Sequence, residues 1–97
     1  MIEHQPHGDI LEIRLARPPV NALDREILDQ LVEAVQAAPA QGAHGIVLSG
    51  GEKVFSGGLD VPFLMTLGRD ELFACWSRFF DAARAIAKSP VPVAAAM

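Results

Sequence analysis

The chain has 97 residues, enough for one small domain or for part of a larger one. At 51% hydrophobic and 21% charged it is globular rather than disordered, and a net charge of −4 with few, scattered basic residues excludes a nucleic-acid footprint. The single cysteine, Cys75, excludes an internal disulfide and a cysteine-based zinc site.

The opening stretch MIEHQPHGDILEIRL lacks the basic region and apolar core of a signal peptide. No apolar run is long enough to span a bilayer, and a reducing, cytoplasmic setting is the expectation. Within DILEIRLA, Leu11, Ile13 and Leu15 alternate with Glu12 and Arg14, which predicts a half-buried strand. Ile2 to Gln5 is expected to pair with it through a turn at His7–Gly8. Pro18 and Pro19 fix φ and remove two donors, so the strand ends before them.

From Asp24 the period changes. Ile27, Leu28, Leu31, Val32 and Val35 make one face of an amphipathic helix, with Asp24 as its N-cap and Pro39 and Gly42 ending it. GIVLSG, Gly45 to Gly50, is a short apolar run bounded by glycines and predicts a buried parallel strand. Asp60 is expected to cap a short helical turn through Leu67, broken by Gly68. Leu72, Phe73, Trp76, Phe80, Ala83, Ile86 and Ala87 recur at helical spacing and predict a long helix from Arg69 to Lys88. The face carrying Leu72, Phe73, Trp76 and Phe80 is expected to be largely buried, partly by further chain or another subunit. SPVPVAAAM looks like a linker entering another buried strand, which needs neighbours of its own. The apolar content is high for so short a chain, so the segment is expected to be the N-terminal part of a longer polypeptide.

Between the third strand and the short turn lies GEKVFSGGLDVPFL, where two glycines precede an apolar leucine and a potential cap. Three uses compete for it. Phosphate cradling has little support, because neither the P-loop spacing nor G-x-G-x-x-G is present. A plain strand-to-helix turn suits glycine and aspartate but leaves Leu59 unexplained. A backbone-amide donor site explains all of it. Glycine permits close approach, amides at the start of a helix lack internal acceptors, and such an N–H can bind a carbonyl oxygen that becomes an oxyanion. The bond is indifferent to the donor's side chain, so Leu59 is acceptable there.

VFSGGLD after GIVLSGGEK, with RPPVNALD upstream and SPVPVAAAM downstream, resembles the crotonase family, also called the enoyl-CoA hydratase/isomerase family. The resemblance covers essentially the whole chain, and PPVNAL, FSGGLD and CWSRFF look closest to its Δ3,Δ2-enoyl-CoA isomerase branch. It implies an α/β fold, the N-terminal portion of a crotonase-like (ClpP-like) spiral of ββα units, with trimers or dimers of trimers common. It implies an acyl-CoA thioester as substrate, so that coenzyme A enters as part of the substrate and no cofactor is bound permanently. The family's first oxyanion donor maps to the Leu59 N–H. Backbone groups of Gly57, Gly58, Leu59, Asp60 and Val61 would also meet the CoA moiety, with Pro19 and Asn21 flanking it. The second donor and the catalytic glutamates are expected beyond Met97.

Other polar residues have more ordinary roles. Asp60 is expected to be a helix cap rather than an acid or base, and Glu52 and Lys53 to be solvated. His4, His7 and His44 lack metal-like spacing and are expected at the surface, so no metal site is assigned. Cys75 and Trp76 are expected to pack in the core or against a subunit. Asn21 is expected to stabilise its loop by side-chain hydrogen bonds. Phe63 and Met65 are candidates for an acyl pocket wall, with ordinary packing as the alternative. The leading expectation is an acyl-CoA enzyme that shifts a double bond. The alternatives are hydration of 2-enoyl-CoA and a non-catalytic scaffold binding acyl-CoA or a protein.

Overall fold

The computed structural model describes residues 1–96. Four strands form one sheet in the order β1-β2-β3-β4: β1 (Ile2–His7), β2 (Ile10–Leu15), β3 (Gly45–Ser49) and β4 (Val93–Ala95). β1 and β2 are an antiparallel hairpin, with Ile2 opposite Leu15. β3 runs parallel to both β2 and β4. The hairpin strand is longer than the sequence suggests. β1 continues through Pro6 to His7, and the turn falls at Gly8–Asp9 rather than His7–Gly8. An edge strand accepts proline because half of its amides face away from the ladder. Gly8 takes φ +64, a conformation that favours glycine.

Helix α1 (Arg25–Ala37) crosses from β2 to β3 and lies on one face of the sheet. Its buried stripe Ile27, Leu28, Leu31, Val32, Ala34 and Val35 packs on Ile13, Ile46 and Leu48. Asp24 caps it, accepting the Ile27 N–H at 3.0 Å. A single 3-10 turn over Pro39–Gln41 and a left-handed Gly42 then end the helical path. The opposite face of the sheet is polar along β1 and β2. There Glu12 accepts from the Ser49 hydroxyl at 2.6 Å and pairs with His7 at 2.8 Å.

Helix α2 (Val61–Leu64) is one turn, shorter than the stretch to Leu67 expected from the sequence. Gly68 opens helix α3 (Arg69–Ala87), which packs beside α1 and is joined to it by the Arg78–Asp29 ion pair. Its inward stripe is Cys75, Phe79, Ala82 and Ile86. Of the stripe expected to be buried partly by further chain or another subunit, Phe73, Phe80 and Trp76 are 74%, 58% and 43% exposed within this chain. α3 carries two apolar stripes about 100° apart, and α1 selects the one with smaller residues at the crossing. β4 is also largely exposed, where a buried strand was expected, because nothing among the described residues covers it. Met97, the last residue of that stretch, lies outside the described residues. Among the described residues, no helix is long and apolar enough to cross a membrane.

Candidate functional site

Two loops meet at the carboxyl ends of β2 and β3. The first, residues 16–24, connects β2 to α1; the second, residues 50–60, connects β3 to α2. The second loop pinches shut at its base. The Gly51 N–H donates to the Val54 carbonyl at 2.9 Å, and a Cβ on Gly50 would come within 2.3 Å of the Phe55 carbonyl oxygen. Only glycine permits that approach.

The two loops join through a short parallel bridge between Leu23 and Leu59. Leu23 donates its N–H to the Gly58 carbonyl at 2.7 Å and accepts the Asp60 N–H at 2.9 Å. Gly57 donates to the Val20 carbonyl at 2.7 Å, and Gly58 donates to the Ser56 hydroxyl at 3.0 Å. Amides 57, 58 and 60 therefore have acceptors. The Leu59 N–H has none among the described residues. The reason is geometric. Gly58 C=O and Leu59 N–H share one trans peptide, so a carbonyl turned toward Leu23 turns the N–H away from it.

The two glycines serve different ends. Gly58 has φ +85, and a Cβ there would meet nothing within 4 Å, so conformation rather than crowding calls for glycine. At Gly57 a Cβ would come within 3.3 Å of the Val20 side chain, so there the limit is space. Leu59 itself is half-buried, its side chain packed against the core. Val61 is exposed at the first turn of α2, and Phe63 and Met65 are exposed too.

Asp60 is fully engaged. Its Oδ1 caps α2 by accepting the Phe63 N–H at 3.2 Å, and its Oδ2 accepts from the Arg17 guanidinium at 3.0 Å. Asn21 is engaged as well. It is 5% exposed and sits at φ +53, a region where asparagine is the commonest non-glycine visitor. Its Oδ1 accepts the Arg17 N–H at 2.7 Å and its Nδ2 donates to the Phe55 carbonyl at 3.0 Å. Both polar ends of that side chain are thus committed to the loops. Pro19 is exposed and, with Glu3, Arg14 and Gly51, borders a shallow cavity of about 310 Å³. An apolar cavity of about 220 Å³ lies under the loops, bounded by Leu23, Leu28, Leu48, Phe55 and Phe79.

Arg17 and Ser56 were not singled out in the sequence, yet both join the loops. Arg17 donates to the Ala22 carbonyl at 2.7 Å as well as to Asp60. Ser56 donates to the Asn21 carbonyl at 2.8 Å while accepting from Gly58. The one sequence signal was Arg17 directly before the two prolines of a predicted loop.

Comparison with known proteins follows the same outline. The family profile described as enoyl-CoA hydratase/isomerase matches residues 5–97. "Probable enoyl-CoA hydratase EchA17" of Mycobacterium tuberculosis is 33% identical over 84 residues, covering 86% of this chain and 32% of its own length. The chain thus spans about a third of the curated relatives it matches. Among solved structures, an enoyl-CoA hydratase from Polaromonas sp. JS666 superposes with a TM-score of 0.91 at 26% identity, covering 99% of this chain and 39% of that one. An enoyl-CoA hydratase/carnithine racemase from Magnetospirillum magneticum gives 0.87 at 29% identity, covering 97% and 37%. The α/β architecture is that of the N-terminal portion of the crotonase-like fold. The chain belongs to the enoyl-CoA hydratase/isomerase family.

Proposed function

We propose that this segment supplies half of the oxyanion hole of an acyl-CoA enzyme, with the Leu59 N–H donating to the thioester carbonyl oxygen and stabilising the enolate that forms from it. The observation that carries the reading is the unpaired Leu59 amide between three paired neighbours. A carbon next to a thioester is a weak acid, and most of the cost of forming its anion is charge on the carbonyl oxygen. A fixed amide acts there without reorganising, and removing one such donor costs about 10²–10³ in rate, or roughly 2.7–4 kcal/mol. A second donor and a general base within hydrogen-bond reach are also required. Neither is assigned to these 97 residues. The apolar cavity beside Leu23 and Phe55 suits an acyl tail.

Two reactions share the enolate. Hydration of a 2-enoyl-CoA is favoured by the names of the relatives, several of which are called enoyl-CoA hydratases. A double-bond shift in a 3-enoyl-CoA is favoured by PPVNAL and FSGGLD, with leucine at the donor position. A homo-oligomer, trimeric or a dimer of trimers, in the cytoplasm completes the proposal. The test compares Leu59→Pro with Leu59→Ala in the natively encoded protein, with folding checked by circular dichroism. Proline removes the N–H, whereas alanine keeps it. The reading expects turnover to vanish with proline and largely survive with alanine on whichever thioester is used. A folded proline variant with wild-type rates would remove Leu59 from the mechanism.

A further inference from the structure

Beside the backbone bonds to Leu23 and Val20, the side-chain bonds around the Leu59 peptide trace back to Arg17 and Asn21 of the first loop. On one side the path runs from Gly58 N–H to the Ser56 hydroxyl at 3.0 Å and from that hydroxyl to the Asn21 carbonyl at 2.8 Å. The Asn21 side chain holds the preceding residue as well, through the Phe55 carbonyl at 3.0 Å. On the other side Asp60 Oδ2 accepts from Arg17 at 3.0 Å. Arg17 and Asn21 are themselves joined twice: the Arg17 N–H donates to Asn21 Oδ1 at 2.7 Å, and the Asn21 N–H donates to the Arg17 carbonyl at 2.8 Å. The bonds close a ring around the Leu59 amide, which has no acceptor among the described residues.

The guanidinium has a further role at the two helix starts. Asp24 and Asp60 each spend Oδ1 on a cap, to Ile27 N–H and Phe63 N–H. Each leaves Oδ2 facing Arg17, at 3.6 Å and 3.0 Å. Two carboxylates so placed repel without a cation between them. Arg17 also donates to the Ala22 carbonyl at 2.7 Å, so one planar fork serves a carbonyl and a carboxylate in different directions. A lysine ammonium is a point charge and lacks that fork.

We propose that Arg17 is a positioning residue for the Leu59 N–H, acting with Asn21 as a clamp that fixes the second loop against the first. The inference rests on Leu59 being the oxyanion donor. It never places Arg17 against substrate. A donor displaced by about 1 Å loses on the order of 10²-fold in rate. The loss falls on kcat, because the amide matters more to the enolate than to the ground-state carbonyl.

The experiment uses the natively encoded protein with Arg17→Ala, Arg17→Lys, Ser56→Ala and Leu59→Pro, assayed with 2-enoyl-CoA and 3-enoyl-CoA thioesters. For Arg17→Ala, kcat should drop on the order of 10²-fold with KM within about threefold of wild type. Arg17→Lys should stay low. Methylguanidinium at millimolar concentration should restore at least about tenfold in Arg17→Ala and nothing in wild type, because a free planar cation can re-form the two-way contact. Rescue of kcat is not what a general loss of stability gives. A folded Arg17→Ala with wild-type kcat, or a loss confined to KM, overturns the clamp. If Arg17→Ala does not fold, Ser56→Ala breaks the ring from the other side: a fall in kcat with steady KM supports the clamp, and unchanged kcat overturns it. Leu59→Pro separates the two claims. Full activity there sinks the donor itself, whereas an inactive Leu59→Pro beside a fully active Arg17→Ala sinks only the clamp.

Discussion

Leu23 and Leu59 meet as a two-residue parallel bridge, and that bridge decides where the Leu59 amide points. Leu23 takes the Gly58 carbonyl and the Asp60 N–H, the two groups that face the first loop. What remains of the Leu59 peptide faces the other way. The site is therefore a consequence of backbone pairing between two loops, and the side chains beside it hold those loops in register.

The first prediction concerns Asn21. At φ +53 an L-residue with a Cβ is strained, and asparagine offsets this with two side-chain hydrogen bonds. Asn21→Gly keeps the backbone conformation but loses both bonds, and should destabilise by about 2 kcal/mol at about 1 kcal/mol each. Asn21→Ala loses the bonds and keeps the strain, and should cost about 1 kcal/mol more. Urea unfolding of the two variants measures the order. Equal stability of the alanine and glycine variants would mean that the positive φ is not maintained.

What could be read from the sequence was local. β2, β3, α1, α3 and the two aspartate caps follow from alternation, from helical spacing, or from a capping residue next to its helix. The positions that escaped have partners far along the chain. Arg17 reaches Asp60 across 43 positions and Ser56 reaches Asn21 across 35, and no periodicity records either contact. Which stripe of α3 meets α1 has a related origin: its two apolar stripes look alike until α1 is beside them. β1 runs past the expected Gln5, through Pro6 to His7, because an edge strand tolerates proline. Gly-Gly-Leu-Asp marks the strand-to-helix junction locally, but the direction of the Leu59 amide is set by the bridge to Leu23 in the other loop.

The second prediction concerns Cys75. Its side chain is 2% exposed on the inner stripe of α3, and burial, followed by the negative charge of Asp24, pushes its thiol above the ordinary value of 9.0. Thiol reagents need the exposed thiolate. At about pH 8 the folded chain should resist labelling, and denaturant should release one equivalent. Rapid labelling under native conditions would show that α3 does not hold its place on α1.

The third prediction concerns Glu12 and acid. The Ser49 hydroxyl, and after it His7, hold the Glu12 carboxyl below its ordinary value of 4.5. A carboxyl whose folded pKa is depressed contributes stability that is fully present above the unfolded value and is lost as pH falls through the folded one. Stability should therefore begin to fall below 4.5, and Glu12→Gln should show a shallower decline over that window. Parallel urea titrations from about pH 7 to about pH 3 measure the difference. Identical acid profiles for the two proteins would remove Glu12 from the acid response.

The most direct measurement deletes the proposed donor and keeps the side chain. Replacing Leu59 by its α-hydroxy acid counterpart turns one peptide into an ester, keeps the leucine side chain, and leaves the Gly58 carbonyl in place to accept from Leu23, although an ester carbonyl accepts more weakly. In the natively encoded protein, turnover of the enoyl-CoA substrate should fall on the order of 10²–10³-fold while the fold persists. An ester variant that folds and keeps the wild-type rate would contradict the assignment of the Leu59 N–H as an oxyanion donor.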